Sequence, residues 1–509
     1  MRLTRLLVRA LSCTAATAAF VVSLAVSAQT LQSPPSDGVG SGAPSVLNLP
    51  QMGEPADAAL SPAQEEQIGA NVVSQLYQYD YILEDPELAE YMSGLGWRLV
   101  AAAQQKPPRM DVFVVNDPRI NAFALPGGYI GFNAGLLIAS STESEVAGVM
   151  GHELTHVTQR HLARSQAEQG GVGTFATWAA VLAAIIAGSA NPDVILAALA
   201  VGQSSMYQKQ VSFTRAGELE ADRIGIQTMA DAGFDPEGMA SFFQRLEQQS
   251  RLYGTGVPDI LRTHPVNTVR ISEARARAAA MKKAHPVQNS YEYELMRARA
   301  RVLTFSRPAE GIDLYAAELK AGHDTPGNRY GLALSMLQAG DFKGGMEILQ
   351  PLLDSNPRQP NLSLLMADLK FHGRQPAEAL ALYKKTQELY PRYSPALLKY
   401  GSALVESGKP AEARALLLSS EQAFGTRLET YRILAMAANE AGDRGAASYE
   451  MANYLYYRGD YGGALAQLDA GLRFDSLSPE DRARLAARRA EVREALPRNY
   501  NPYSRPGRQ

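Results

Sequence analysis

The stretch HELTH, residues 152–156, combines residue types and a spacing that can hold a metal ion and hydrolyse a peptide bond. Residues four apart share one face of a helix, so His152 and His156 can point at one ion. A zinc ion with three protein ligands keeps a fourth position open for water. Glu153 could accept a proton from that water and pass it to the leaving amine. The alternative is a pair of surface histidines on an amphipathic helix.

A second pattern, ELEAD at residues 218–222, could complete this site. Glu218 and Asp222 share a helix face at this spacing. Glu218 is the candidate third ligand, and Asp222 could accept a hydrogen bond from a ligand histidine and fix its tautomer. Glu220 points elsewhere and is expected to be solvated. Alone, these carboxylates would indicate an exposed acidic face, but together with HELTH they favour a metal site.

The helix that carries HELTH is predicted to begin at a capping box, Thr142 to Glu145, and to run to about Gln166. Residues on its other face are apolar. His161 lies five positions after His156, about 140° further around such a helix, so we expect it to miss the metal.

Short strands are expected ahead of this helix. Residues 110–115 alternate as a strand, and residues 121–132 (NAFALPGGYIGF) predict a strand, a tight turn and a strand. The first strand of this hairpin could bind an extended peptide through its backbone, which reads little side-chain identity. The residues expected to do so are Asn121, Ala122, Phe123 and Ala124. The alternative is that this strand is only an element of the sheet.

The C-terminal half repeats with a period of 34 residues. Pro-Ala-Glu begins at residues 308, 376 and 410, with separations of 68 and 34 residues. Glycines precede these points in the turns, at Gly340, Gly373, Gly408 and Gly442. A 34-residue unit of helix, turn and helix resembles the tetratricopeptide repeat. An unrelated bundle would not keep this register, so we predict an α-solenoid, whose concave groove usually binds peptides or proteins.

The first 28 residues have the features of a secretory signal peptide. Arg2, Arg5 and Arg9 precede an uncharged apolar run, and small residues up to Ala28 offer a cleavage site. A transmembrane anchor is the alternative, but the run is short and no charged cluster follows it. The sole cysteine, Cys13, lies in this segment, so a metal site in the mature chain must use histidines and carboxylates. The predicted location is the bacterial periplasm.

Composition indicates a large folded chain that does not bind nucleic acid. The chain has 509 residues, of which 46% are hydrophobic and 20% charged, and its net charge is −3. There is no basic excess to hold a phosphate backbone.

Residues 169–192 and 194–208 carry no charge. Their composition favours two helices, separated by Asn191-Pro192-Asp193. Three interpretations remain open: packing within the protein, contact with a membrane surface, and a membrane span, for which the second segment is too short.

HELTH followed by ELEAD resembles the M48 family of zinc metallopeptidases. The stretch NAFALPGGYIGFNAGLL at 121–137 is similar to the strand beside that family's active-site cleft. LPQMG near residue 50, HVTQRHLAR after the metal motif, THPVNTVR at 263–270 and the repeats resemble a periplasmic branch of the family. The resemblance to this branch implies quality control of outer-membrane β-barrel proteins.

The resemblance also implies roles for individual residues. His152, His156 and Glu218 match the family's ligands for one zinc ion per chain, and Glu153 matches its catalytic base. His264 matches a histidine that reaches the zinc from a loop and occupies the position that water needs, which would make the protease latent. From the residues alone, His264 is a histidine in a turn bounded by proline.

Arg270, which follows that turn, could position the loop or a substrate carbonyl. A solvated arginine is the expectation that we adopt for it. No group that stabilises the transition-state oxyanion can be identified from the sequence.

The predicted fold is mainly α (α+β): a zincin-like M48 metallopeptidase domain with a small sheet, followed by a tetratricopeptide solenoid. The predicted segments are a signal peptide (1–28), a linker (29–60), the peptidase domain (61–285), the repeats (286–495) and a tail (496–509). The implied substrates are unfolded or stalled outer-membrane proteins, with the repeats docking on the β-barrel assembly machinery.

Two alternatives to this function stay open. The first is a chaperone or adaptor that uses the repeats and has a latent or structural zinc site. The second is an integral-membrane M48 peptidase in which residues 169–208 form a hairpin.

Overall fold

The computed structural model describes residues 60–168, 215–253, 260–261, 264–281, 287–424, 428–494 and 496. The predicted signal peptide, the linker up to residue 59, the uncharged segments at 169–208 and the tail beyond residue 496 lie outside this part of the chain. Among the helices in the described ranges, none combines the length and the apolar character needed to cross a membrane.

Two capped helices open the described chain, α1 (Pro62–Gln78) and α2 (Pro86–Ala102). Ser61 and Asp85 cap them by accepting a hydrogen bond from the backbone N–H three residues later. Each helix also has proline in its first turn, where the missing N–H costs nothing. The polar caps and prolines therefore fix where both helices begin.

A three-stranded sheet lies between two apolar clusters. Its strands are β1 (Asp111–Val115), β2 (Ala122–Leu125) and β3 (Tyr129–Asn133), with β3 in the centre, parallel to β1 and antiparallel to β2. The predicted hairpin is confirmed. Its turn uses Gly127 and Gly128 at φ values of 79° and 88°, which favour glycine. β1 packs on α1 with one face and on α2 with the other.

Within the described residues, six more helices belong to the peptidase part: α3 (Ala134–Ala139), α4 (Glu143–Thr158), α5 (His161–Glu168), α6 (Arg215–Asp231), α7 (Glu237–Tyr253) and α8 (Thr268–Ala280). Thr142 caps α4 by accepting from the backbone N–H of Glu145. The predicted continuous helix to Gln166 is wrong. Arg160 has a φ of 49°, and this left-handed residue separates α4 from α5.

The remaining helices follow the predicted helix–turn–helix pattern. They are α9 (Tyr291–Thr304), α10 (Pro308–Lys320), α11 (Pro326–Ala339), α12 (Phe342–Ser355), α13 (Pro360–His372), α14 (Pro376–Leu389), α15 (Ser394–Glu406), α16 (Pro410–Phe424), α17 (Leu428–Glu440), α18 (Arg444–Tyr457), α19 (Tyr461–Gly471) and α20 (Pro479–Glu494). α12, α14, α16 and α18 begin 34 residues apart. The mainly α fold with a small sheet is therefore confirmed.

The peptidase part and the repeats pack within one compact unit, Gly53–Ala495. Glu87, in the first turn of α2, is fully buried. Its Oε1 atom lies 3.0 Å from Arg299 Nη1 and 3.1 Å from Lys399 Nζ, and its Oε2 atom accepts a hydrogen bond from Asn361 Nδ2 at 2.9 Å. These partners lie on α9, α13 and α15. Helix α2 thus packs against what we call the inner face of the repeats, formed by α9 and the first helices of the helix pairs.

Candidate metal centre

Two facing glycines let α4 and α6 approach closely enough to form a site. A Cβ atom built on Gly225 of α6 would lie 3.0 Å from the backbone carbon of Gly151 in α4. A Cβ atom on Gly151 would lie 3.0 Å from the carbonyl oxygen of Gly225. This contact brings Glu218 and Asp222, which precede Gly225 on α6, beside the histidines of α4.

Four buried side chains converge at this crossing: His152, His156, Glu218 and His264. Each offers one ligand atom, and these atoms all lie within 4.8 Å of one another. His152 Nε2 lies 3.0 Å from His156 Nε2 and 3.3 Å from His264 Nδ1. Glu218 Oε1 lies 2.9 Å from His264 Nδ1 and 3.4 Å from His156 Nε2. None of the four residues is more than 3% exposed.

These separations fit a small tetrahedral cation. Nitrogen and oxygen ligands at about 2.0–2.1 Å from zinc lie roughly 3.4 Å from one another. Two or three imidazoles with one carboxylate are also the donors that zinc accepts. The residues present can therefore hold a metal ion without rearrangement of the two helices.

Glu153 is poised next to this cluster. It is fully buried, and among the residues that the structure describes neither of its carboxylate oxygens has a hydrogen-bond partner. Its Oε1 atom lies 3.5 Å from His264 Nε2. A buried carboxylate without a donor is costly, so it indicates a group kept for a ligand of the site.

The electrostatics of the cluster are strongly coupled. Burial disfavours the charged imidazole of His152, but Asp222 and Glu218 outweigh it and raise the pKa of His152 to about 10. Burial, together with the neighbouring His152, holds the pKa of His156 well below its usual value. Burial also opposes ionisation of Glu218, yet His264 and the two α4 histidines hold its pKa well below the usual range. Without metal, the cluster therefore contains the ionised carboxylate of Glu218 and the neutral imidazole of His156, which are the forms that bind metal, and the charged imidazole of His152, which has to release a proton when a metal ion binds.

Arg270 and Asp222 contact the ligand residues on the side away from the ligand atoms. Asp222 Oδ1 lies 2.9 Å from His152 Nδ1, the ring nitrogen that faces away from the other ligand atoms. Arg270 donates to both oxygens of Asp222, at 2.6 and 2.7 Å, and its Nη1 atom lies 2.6 Å from Glu218 Oε2. The expectation of a solvated arginine is wrong, because Arg270 is only 3% exposed and its charge is balanced by these two carboxylates.

His161 lies outside the four ligand residues, as expected, but closer to them than a continuous helix would place it, and Glu220 is less exposed than expected. His161 is not one of the four ligand residues, but because α4 ends before it, its ring turns back so that its Nδ1 atom lies 2.8 Å from His156 Nδ1. Glu220, expected to be solvated, has a side chain only 27% exposed. Its Oε2 atom lies 3.2 Å from His161 Nε2 and accepts a hydrogen bond from Arg164 at 3.1 Å.

The candidate substrate strand, β2, is an edge of the sheet described here. The carbonyl of Asn121 accepts from Asn133 N at 3.0 Å, so the backbone groups of Asn121 and Phe123 point towards β3. The backbone groups of Ala122 and Ala124 then point to the outer edge. Of the four residues predicted to bind a peptide, only these two alanines turn their backbone groups away from β3, and both are buried, with Ala122 0% exposed and Ala124 8% exposed.

The fold and the donor set define a metallopeptidase, and comparison with known proteins agrees. Residues 86–278 match peptidase family M48, and residues 371–426 match the tetratricopeptide repeat. The chain belongs to the M48 peptidase family, with repeats added to its peptidase domain. It is a metalloendopeptidase.

Two relatives match most of the chain, and a third matches about a third of it. The beta-barrel assembly-enhancing protease of Escherichia coli (strain K12) is 32% identical over 468 residues, which cover 91% of this chain and 94% of that protein. The protein of the same name from Yersinia pestis is 34% identical over 454 residues, covering 87% and 91%. The mitochondrial metalloendopeptidase OMA1 of Arabidopsis thaliana is 34% identical over 174 residues, covering 34% and 32%.

Proposed function

We propose that this metalloendopeptidase is zinc-dependent, resides in the bacterial periplasm, and cleaves outer-membrane β-barrel proteins that fail to assemble. The observation that carries the proposal is the convergence of four buried ligand atoms beside the unpartnered carboxylate of Glu153. The names of the relatives from Escherichia coli and Yersinia pestis supply the substrate class. The signal-like residues 1–28 support export, and residue ranges 61–285 and 286–495 are the proposed peptidase and repeat domains.

In this proposal His152, His156 and Glu218 hold the zinc. When bound, zinc polarises a substrate carbonyl and makes water acidic enough to ionise near neutral pH. Glu153 accepts the proton that the attacking water loses and delivers it to the amine of the departing peptide. Asp222 keeps the hydrogen of His152 on Nδ1, which leaves the Nε2 lone pair directed at the ligand cluster.

The position of His264 supports the proposal that the enzyme is latent. The ring of His264 lies between Glu218 and Glu153, with Nδ1 2.9 Å from Glu218 Oε1 and Nε2 3.5 Å from Glu153 Oε1. It therefore fills the space between the candidate ligands and the candidate base, where the attacking water must bind. We propose His264 as a fourth, inhibitory ligand that has to withdraw before cleavage.

An extended substrate would pair with the outer edge of β2. The backbone groups of Ala122 and Ala124 point to that edge and could form hydrogen bonds that do not depend on the substrate's sequence. Both residues are buried in this structure, so the edge has to be uncovered before a substrate can pair with it. This suits unfolded chains, whose backbones are accessible and whose side chains vary.

The repeats would dock on the β-barrel assembly machinery or on its clients. Because α2 already packs on part of their inner face, through Glu87 and its partners, we expect docking on surfaces that α2 leaves uncovered. Contact of residues 169–208 with a membrane surface is a further element of the proposal.

The decisive experiment compares the wild type with Glu153→Gln for bound zinc and casein cleavage. We expect both to bind one zinc per chain and only the wild type to cleave, with activity lower by at least about 100-fold in the variant. Full activity of Glu153→Gln in cells that need the protein would support the chaperone or adaptor instead. Recovery of the mature protein in the soluble fraction after carbonate extraction would exclude the integral-membrane alternative.

A further inference from the structure

His161 connects a candidate zinc ligand to a charged pair nearer the surface. Its side chain is 4% exposed and lies between His156 and Glu220. The two Nδ1 atoms of His156 and His161 are 2.8 Å apart, and His161 Nε2 is 3.2 Å from Glu220 Oε2. Arg164 donates to the same carboxylate oxygen at 3.1 Å. These contacts form a continuous chain from the ligand cluster to Arg164.

Hydrogen-bond chemistry gives this chain one direction. His156 directs Nε2 at His152 and Glu218, so its Nε2 lone pair faces the ligand cluster. Its only ring hydrogen must then be on Nδ1, and the atom 2.8 Å away, His161 Nδ1, has to accept it. His161 consequently keeps its own hydrogen on Nε2, where the carboxylate of Glu220 can accept it.

We propose that His161 is a positioning residue for the zinc site, which fixes the tautomer and the ring orientation of His156 and is itself oriented by Glu220. Most ligand histidines donate directly to a carboxylate or a carbonyl, as His152 can to Asp222. For His156 a second imidazole stands in between, so the carboxylate acts through one more hydrogen bond. The inference rests on the proposed zinc site and concerns residues outside the ligand set.

The test is zinc affinity, measured on the full chain by competition with a chromophoric chelator. His161→Leu keeps the bulk of the side chain but removes both nitrogens, so the zinc dissociation constant should rise about 10- to 100-fold. His161→Asn places an oxygen acceptor near the position of Nδ1 and should recover part of the lost affinity. His323→Leu is the matched control, because His323 forms an exposed 2.7 Å pair with Glu318 in the repeats.

A double-substitution cycle tests the link to Glu220. Glu220→Gln as a single substitution should weaken zinc binding. Added to His161→Leu it should have little further effect, because the hydrogen bonds that link Glu220 to His156 are already lost there. If the effects of the two substitutions on zinc affinity were fully additive, the hydrogen-bonded link from Glu220 through His161 to His156 would be contradicted.

Two further results would overturn the inference. One is an unchanged zinc dissociation constant in His161→Leu, accompanied by a lower melting temperature of the zinc-free protein, which would reduce His161 to a packing residue. The other is His161→Asn binding zinc as weakly as His161→Leu. A wild-type chain that binds no zinc would overturn the proposed metal centre as well, so the two failures are distinguishable.

Discussion

The backbone N–H of Ile260 donates a hydrogen bond to the carbonyl of Ile120, with 3.4 Å between nitrogen and oxygen. Ile120 precedes β2, and by alternation along the strand its carbonyl points to the same outer edge as Ala122 and Ala124. His264 N in turn donates to the carbonyl of Ile260 at 2.8 Å. His264 therefore inserts a ring into the candidate metal centre, and Ile260, which is hydrogen-bonded to it, covers the start of the candidate substrate edge.

Removing the ring should activate the enzyme. His264→Ala leaves three ligands and vacates the space beside Glu153, so cleavage of casein should increase. A closed form that is about 90% populated would give roughly a tenfold increase. The measurement is casein cleavage and self-cleavage at equal zinc content, with His323→Ala as the control. Equal or slower cleavage with zinc still bound would refute the inhibitory role.

The contact between Gly151 and Gly225 predicts that a single methyl group will damage the site. In Gly225→Ala the new Cβ atom would lie 3.0 Å from backbone atoms of α4, which cannot move aside as a side chain can. We expect a loss of about 1–3 kcal/mol in the free energy of unfolding, measured in urea, together with weaker zinc binding.

The control for this substitution is Gly94→Ala in α2. Gly94 is helical and exposed, and a Cβ atom there would have no neighbour within 4 Å. Helix propensity alone should then stabilise the protein by about 0.5–1 kcal/mol. If the two substitutions had the same effect, the close approach of α4 and α6 would be irrelevant to the site.

Glu87 should be among the most important charged residues for stability. Glu87→Gln leaves Arg299 and Lys399 buried with one carboxylate fewer, which should cost about 3–5 kcal/mol in the free energy of unfolding. Glu347→Gln is the control, since its pair with Lys343 is exposed and should contribute less than about 1 kcal/mol. Denaturant titration of both variants would settle the point, and equal losses would count against a special role for Glu87.

Glu292 predicts a dependence of stability on pH. Burial, followed by the charges of Glu143, Glu87 and Glu90, raises the pKa of Glu292 from 4.5 to about 7. Between these values the folded chain keeps a proton that the unfolded chain releases, so the contribution of Glu292 is most favourable below about pH 4.5 and is lost as the pH rises to about 7.

The neutral isostere should remove this loss. Glu292→Gln should be more stable than the wild type at pH 8, by on the order of 1–3 kcal/mol, and the difference should shrink towards pH 5. Urea titrations at several pH values provide the measurement. A gap that stays constant across this range would mean that Glu292 does not titrate there.

Local patterns in the sequence were sufficient to predict much of this molecule. The HELTH spacing and the Pro-Gly-Gly turn depend on neighbours within a few residues, and the 34-residue register depends on a repeat that is visible in one chain. The fold class, the hairpin and the helical repeats could therefore be predicted, as could His152, His156 and Glu218 as neighbours, whereas His264 was placed beside them only by the family resemblance.

What could not be predicted depends on contacts between distant segments. No residue pattern near Thr158 shows that α4 ends there. The position of His161, about 140° around the helix from His156, was therefore predicted for a helix that in fact ends before it. Arg270 is buried only because Glu218 and Asp222 arrive from another helix with two negative charges. If Glu218 and Asp222 are assumed to be buried, their two negative charges require a positively charged partner. That requirement could have pointed to Arg270.

Because α2 packs on the inner face of the repeats, it competes with any other protein that could bind to that surface. A peptide from another protein would have to displace α2, whose effective concentration at this surface is on the order of mM because it belongs to the same chain. Only a partner that displaces α2 could bind there. Displacement of α2 would also break the buried ion pairs of Glu87 and so destabilise the peptidase part.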